Sequence, residues 1–284
     1  MKVLVTGASG LIGSALIEEL TRLGHTATPW KRGHKVTSAE LETTDAIVNL
    51  AGATTGKLPW TKKYKTELIE SRVETTRMLV YAINGCANPP KVFVSGSASG
   101  FYGDTGTKLA KESDPKGTGF LSDLAATWEE TAKKAKTRVV LIRTTMVMSR
   151  KLGALGRLLP LIKLGVGGPL ASGKQWWAWI SLPDEVRAII HLINTETAIG
   201  AFNLTAPESA TCIDVVRSLA KKLKRPSIVP VPAFALRIAF GEGADELLIC
   251  NQKLSAEKLM ATGFVFEHPT LKSASAWVTK NPAE

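Results

Sequence analysis

Apolar positions in the first half of the chain follow two alternating rhythms. Short β-branched runs over 2–6, 26–30, 46–50, 91–95 and 138–143 read as strands. Longer stretches over 11–23, 61–84 and 120–136 carry apolar residues at helical spacing. Strands separated by helices predict parallel βαβ units, hence a doubly wound α/β sheet. Beyond Arg143 the rhythm changes. A stretch rich in glycine and leucine over 152–169 precedes a tryptophan-dense strand over 175–180, a helix over 183–194 and another strand over 200–204. Short helices and proline-rich turns follow from 206 onward.

Spacing also limits the sheet. Only twelve residues, 33 to 44, separate the second strand run from the next. A single βαβ crossover takes about ten to twelve, and a helix, a strand and a second helix would normally stand there. A vestigial third strand is therefore predicted, with 26–30 close to a sheet edge. Pro29 agrees, because proline within sheets is largely confined to edges, strand starts and bulges.

Between the first strand and the first helix stands Gly7-Ala8-Ser9-Gly10-Leu11-Ile12-Gly13. Gly7 permits a tight turn, Gly10 lets the backbone approach a pyrophosphate, and Gly13 allows helix and strand to pack closely. The helix amino end then offers free N–H groups to phosphate. This is the setting a Rossmann dinucleotide site requires. An acid at the end of the second strand would hold the ribose diol of NAD, but Lys31-Arg32 stands there. Two cations suit a 2′-phosphate, so NADP(H) is the expected cofactor. Residues 1–150, completed by 181–205, are expected to form the nucleotide domain, with 151–180 and 206–284 as a small substrate-binding lobe over the carboxyl edge of the sheet.

Composition narrows the picture. Hydrophobic residues make up 44% and charged residues 21%, enough for a sizeable core. A net charge of +11 raises nucleic-acid binding as a reading. The basic residues are scattered, however, and the densest run (Lys221, Lys222, Lys224, Arg225) closes a helical segment, where cations complement the helix dipole. Nucleic acid is not expected as a partner, whereas a small anionic substrate fits the charge and a homodimer is compatible. No signal peptide or membrane span is read. Three separated cysteines (Cys86, Cys212, Cys250) form no CxxC pair, and together these features predict reduced thiols and a cytoplasmic setting. Four isolated histidines without paired ligands predict no metal site.

The ordered segments VTGASGLIGSAL, DAIVNLAG, SRVETTR, SGSASGFYGD, FLSDLAATWEE, LGVGGPLASGKQWWAWI, FNLTAPE and ATGFVFEHPTL resemble the extended and atypical short-chain dehydrogenase/reductases. More narrowly, they resemble the epimerase family proteins related to nucleotide-sugar epimerases. That resemblance implies cofactor contacts from Gly7, Ser9, Gly10, Leu11 and Ile12, from Lys31 and Arg32, and from Leu50, Ala51 and Gly52. It further implies contacts from Glu67, Arg72, Ser95 and Met146. Ordinary members of the superfamily carry Tyr-x-x-x-Lys, in which the tyrosine moves the proton and the lysine lowers its pKa. Here the three tyrosines, Tyr64, Tyr81 and Tyr102, are followed four residues on by Leu68, Gly85 and Gly106. Leu121 and Ala125 stand where the pair is expected.

Ser97, matching the family's substrate-binding serine, and Tyr102 beside it are the candidates for a substitute catalytic corner. Gln175, Trp177 and Trp179 share a face at period two, which suits either an aromatic-walled substrate pocket with Lys174 at its rim or plain packing between the lobes. Two functions follow: an NADP(H)-dependent oxidoreductase or epimerase-like enzyme on a small substrate, or a non-catalytic NADP(H)-binding redox sensor.

Overall fold

The computed structural model describes residues 1–280 apart from 32, 151, 152 and 166, and describes 154–157 by backbone alone. The β-branched runs form β1 (Lys2–Thr6), β2 (Thr26–Pro29), β3 (Ala46–Asn49), β4 (Val92–Ala98) and β5 (Arg138–Thr144). Between them run α1 (Leu11–Arg22), α2 (Ser38–Leu41), α3 (Lys62–Asn84) and α4 (Phe120–Ala132). Then come β6 (Met146–Met148), α5 (Gly153–Lys163), β7 (Trp176–Trp177), β8 (Trp179–Ser181), α6 (Leu182–Asn194), β9 (Gly200–Leu204) and β10 (Ala210–Thr211). The chain ends in α7 (Cys212–Lys222), α8 (Ala233–Phe240), α9 (Glu242–Ala244), α10 (Glu257–Ala261) and α11 (Leu271–Thr279).

Six strands form one parallel sheet in the order β2-β1-β3-β4-β5-β9. As the short 33–44 segment predicts, it holds only the four-residue α2, and β2 is the edge strand. Alternate strand residues face opposite layers. Val92, Val94, Val140 and Ile142 pack against Leu16 and Leu20 of α1 and Ile189 of α6. Phe93 and Leu141 face the other way, toward Leu79 and Ile83 of α3 and Ala132 of α4.

The expected strand over 175–180 is instead two short pieces that part at Ala178. Trp177 pairs antiparallel with Ala210 of β10, while Trp179 pairs parallel with Met146 of β6. Both indoles enter a second core with Leu159, Ile162, Val215, Leu219 and Ala274, contributed by α5, α7 and α11. No helix of the described residues is long and apolar enough to cross a membrane.

Candidate functional site

The carboxyl ends of the six parallel strands converge on one edge of the sheet, and the glycine loop lies there. Gly7 has φ +66°, and a Cβ on it would stand 2.3 Å from the Leu50 carbonyl oxygen. A Cβ on Gly13 would stand 2.3 Å from the oxygen of Gly7. Two chain crossings are thus so close that neither position tolerates a side chain. The Gly10 amide donates to the Gly7 oxygen at 2.9 Å, tightening the turn. As the N-cap of α1, Gly10 supplies no capping side chain. The first-turn N–H groups therefore remain for an anion.

A buried polar chain fixes the neighbouring loop. Thr6 Oγ1 donates to Asn49 Oδ1 at 2.6 Å, and Asn49 Nδ2 donates to Thr76 Oγ1 at 2.8 Å. Trp128 Nε1 also donates to Thr76 Oγ1, at 2.8 Å. The Ala51 amide donates back to Thr6 Oγ1 at 3.2 Å, so Leu50 and Ala51 are held beside Gly7. Sequence reasoning found the loop and missed this support, although Asn49 ending an apolar run was its visible sign.

Among the other expected cofactor contacts, Ser9, Gly10 and Gly52 are exposed at this edge, and Leu11, Ile12, Leu50 and Met146 are partly buried. Ser95 is fully buried, its hydroxyl donating to the Gly96 carbonyl at 3.3 Å. Lys31 is exposed just past the end of β2. Arg32 lies outside the described residues. Arg72 lies flat against Gly52, where a Cβ would stand 2.9 Å from its guanidinium carbon. It donates to the carbonyls of Leu68 and Ala53 at 3.1 and 3.0 Å and stacks 5.4 Å over Trp128. Burial lowers its pKa to about 10. Glu67 is exposed and is not its ion-pair partner among the described residues.

Ser97 and Tyr102 do come together, but through a closed network. Ser97 Oγ donates to Glu129 Oε1 at 2.7 Å. Arg143 grips the same carboxylate from two nitrogens, at 2.7 and 2.9 Å, and donates to Tyr102 Oη at 2.7 Å. Tyr102 Oη in turn donates to Asn203 Oδ1 at 2.7 Å. The Arg143 guanidinium lies 3.5 Å from the centre of the Phe101 ring. All five polar residues are buried. Burial pushes the Tyr102 hydroxyl up to about 12, against the pull of Arg143. Both hydroxyls are committed to protein partners, and Tyr102 is a weaker acid than a free phenol. The expectation that this corner supplies a proton is revised accordingly. The signal for the network was a charged residue inside each apolar element, Glu129 in α4 and Arg143 in β5.

Where the tyrosine–lysine pair would stand, Leu121 joins an apolar cluster with Trp60, Tyr64, Leu68 and Leu124, and Ala125 is buried. The first turn of α4 is closed by a carboxylate from the chain's far end. Glu246 accepts from the amides of Phe120 and Leu121 at 2.8 and 2.7 Å. The expected aromatic pocket is corrected. Gln175 donates inward to the carbonyls of Leu170 and Leu248, both at 3.0 Å, and Trp177 to that of Leu248 at 3.1 Å. Trp179 is fully buried. Trp177 and Trp179 belong to the second apolar core and Gln175 bonds inward beside them, while Lys174 is exposed. Period two marks an inward face equally well when the interior is core.

One acid that the sequence reading passed over sits beneath the end of β5. Glu185, in the first turn of α6, accepts from Thr144 Oγ1 at 2.7 Å, and its other oxygen has no partner among the described residues. Burial raises its pKa from 4.5 to about 8.

The glycine loop and its strand edge lie within residues 3–204, which match the NAD dependent epimerase/dehydratase family, while 231–278 match a domain of unknown function, DUF1731. Epimerase family protein ML0860 of Mycobacterium leprae is 35% identical over 299 residues, covering 99% of this chain and 97% of that one. Epimerase family protein SDR39U1 of Homo sapiens is 33% identical over 96% of this chain and 98% of its own. The crystal structure of the human protein with NADPH superposes with a TM-score of 0.93 at 32% identity, covering 99% of this chain and all of that one. UDP-glucuronic acid 4-epimerase from Bacillus cereus shares the fold at a TM-score of 0.76 and 16% identity. On this coverage the chain belongs to the NAD dependent epimerase/dehydratase family and, within it, to the epimerase family proteins of the atypical short-chain dehydrogenase/reductase type.

Proposed function

We propose that this chain binds NADP(H) and acts as an oxidoreductase or epimerase-like protein on a small anionic substrate without a Tyr-x-x-x-Lys pair. The observation that carries the reading is the side-chain-free cradle of Gly7 and Gly13, opening toward a strand end that carries Lys31 and no acid. The NADPH in the crystal structure of the human relative supports the choice of cofactor. In this reading α1 and Gly10 hold the pyrophosphate, Lys31 and Arg32 the 2′-phosphate, and Leu50 to Gly52 line the nucleotide's path. Arg72, which has no ion-pair partner among the described residues, presents positive charge to an anionic group. When bound, the nicotinamide supplies or accepts hydride. Ser97 and Tyr102 brace the floor, so a substrate proton comes from water or from the substrate itself. The lobe formed by 151–180 and 206–284 presents the substrate.

A second reading, a redox-reporting binding protein, is favoured by the commitment of both hydroxyls. Two measurements separate the readings. Calorimetry should show Lys31→Ala with Arg32→Ala weakening NADPH while leaving NADH nearly unchanged; equal loss for both refutes the phosphate assignment. A metabolite panel followed by NADPH absorbance and product mass should yield a turned-over substrate. Tight NADPH binding with no turnover assigns the sensor.

A further inference from the structure

Two long stretches of the chain contain no aspartate or glutamate, 131–183 and 215–241. The fold brings parts of them together. A Cβ on Gly165 would touch Pro226 at 3.4 Å. The amides of Ala171 and Val231 donate to the carbonyls of Val231 and Pro169 at 2.8 and 3.0 Å. The C-terminal ends of α5 and α7 therefore share one face, which bears the exposed cations Lys163, Lys221, Lys222, Lys224 and Arg225. None of the five is ion-paired among the described residues.

Apolar side chains that the fold leaves in water stand close to these cations along the chain. Leu164 is 76% exposed and Ile228 79%. Helix α8 follows directly, and of its eight residues only Leu236 is buried. Phe234 and Ile238, four apart and so on one side of that helix, are 65% and 82% exposed, and Arg237 between them pairs with Asp245 at 2.9 Å. Exposed apolar groups gathered this way mark an interaction surface.

We propose that this cation-rich face docks on an anionic lipid surface. Charge complementarity selects the occupant. An isologous pair of copies would set like charges against each other across the two-fold axis. Phosphates of a nucleic acid would match the cations and leave Leu164, Ile228 and Ile238 wet. A headgroup layer takes both, with phosphates at the lysines and acyl chains around protruding aliphatics that come from three separate segments. No single pocket is needed, which fits side chains that stand out rather than line a groove.

Sedimentation of the full chain with extruded vesicles tests this. The protein should pellet with phosphatidylcholine–phosphatidylglycerol vesicles, stay in solution with pure phosphatidylcholine, and be released by salt. Lys221→Gln, Lys222→Gln and Lys224→Gln should each lower partitioning about fivefold. Combining Ile228→Ser with Ile238→Ser should abolish it, with thermal unfolding showing the variants intact. The proposal is overturned by absence of pelleting, by equal pelleting with both vesicle types, or by serine variants that still bind. It is equally overturned if light scattering finds a dimer that Ile238→Ser disperses.

Discussion

Glu185→Gln tests the account of the buried carboxyl beside Thr144. Glu185 is fully buried, and one of its oxygens has no partner among the described residues. Its pKa rises from 4.5 to about 8 because burial disfavours the charged form. Between these values the unfolded chain ionises while the folded chain keeps the proton, so stability falls as pH rises. At about 1.4 kcal/mol per pH unit the loss reaches roughly 3 kcal/mol at pH 7 and roughly 5 at pH 8 and above. Glutamine keeps the shape and still accepts from Thr144, but buries an amide N–H pair without a partner, at a cost of about 1–3 kcal/mol. The variant should thus be less stable than the parent at pH 5 and more stable above pH 8, the two curves crossing between. Other acids such as the half-buried Glu246, whose pKa burial also raises, contribute to both proteins and cancel in the difference. Urea unfolding of both proteins from pH 5 to 9 measures the crossing. Parallel curves across that range would show that Glu185 is not protonated in the fold.

Gly13→Ala should lower NADPH affinity at least tenfold, about 1.4 kcal/mol, since the new methyl would stand 2.3 Å from the Gly7 oxygen; calorimetry reads it. Arg143→Met should destabilise by about 3–5 kcal/mol because the buried Glu129 carboxylate loses its partner. Adding Glu129→Gln should restore part of that loss in denaturant titrations. Tyr102→Phe should cost about 1–3 kcal/mol of stability while leaving NADPH affinity unchanged, because its hydroxyl serves Asn203 and Arg143 rather than the cleft. A Tyr102→Phe protein of unchanged stability and lost turnover would restore the tyrosine to catalysis.

What the sequence made legible was whatever backbone geometry alone dictates. The positions of Gly7 and Gly13 follow from two close chain crossings, which no other residue type allows. The edge position of β2 follows from the shortness of 33–44. The Trp177 and Trp179 stripe was ambiguous because core and pocket both demand an inward face at period two, and only the partners on α5, α7 and α11 decide between them. Nothing in the sequence sets Glu185 apart from an ordinary first-turn acid favoured by the helix dipole. Its burial depends on β5 ending against α6, a contact between residues 41 positions apart.

The missing catalytic pair and the closed polar network belong to one physical arrangement. A tyrosine at 121 would have to enter a space now filled by Trp60, Leu68 and Leu124, and a lysine at 125 would be buried without a counter-charge. An ammonium there would cost several kcal/mol unless paired. The nearest carboxylate on the same helix, Glu129, already takes both an Arg143 fork and the Ser97 hydroxyl. Its charge is already matched by Arg143, which also holds Tyr102. Restoring Tyr-x-x-x-Lys by Leu121→Tyr with Ala125→Lys would therefore force repacking of the Trp60 cluster and disturb the Glu129–Arg143 pair. Such a double variant should lose stability rather than gain dehydrogenase activity, which is why the proposed chemistry relies on cofactor and solvent and not on a protein phenol.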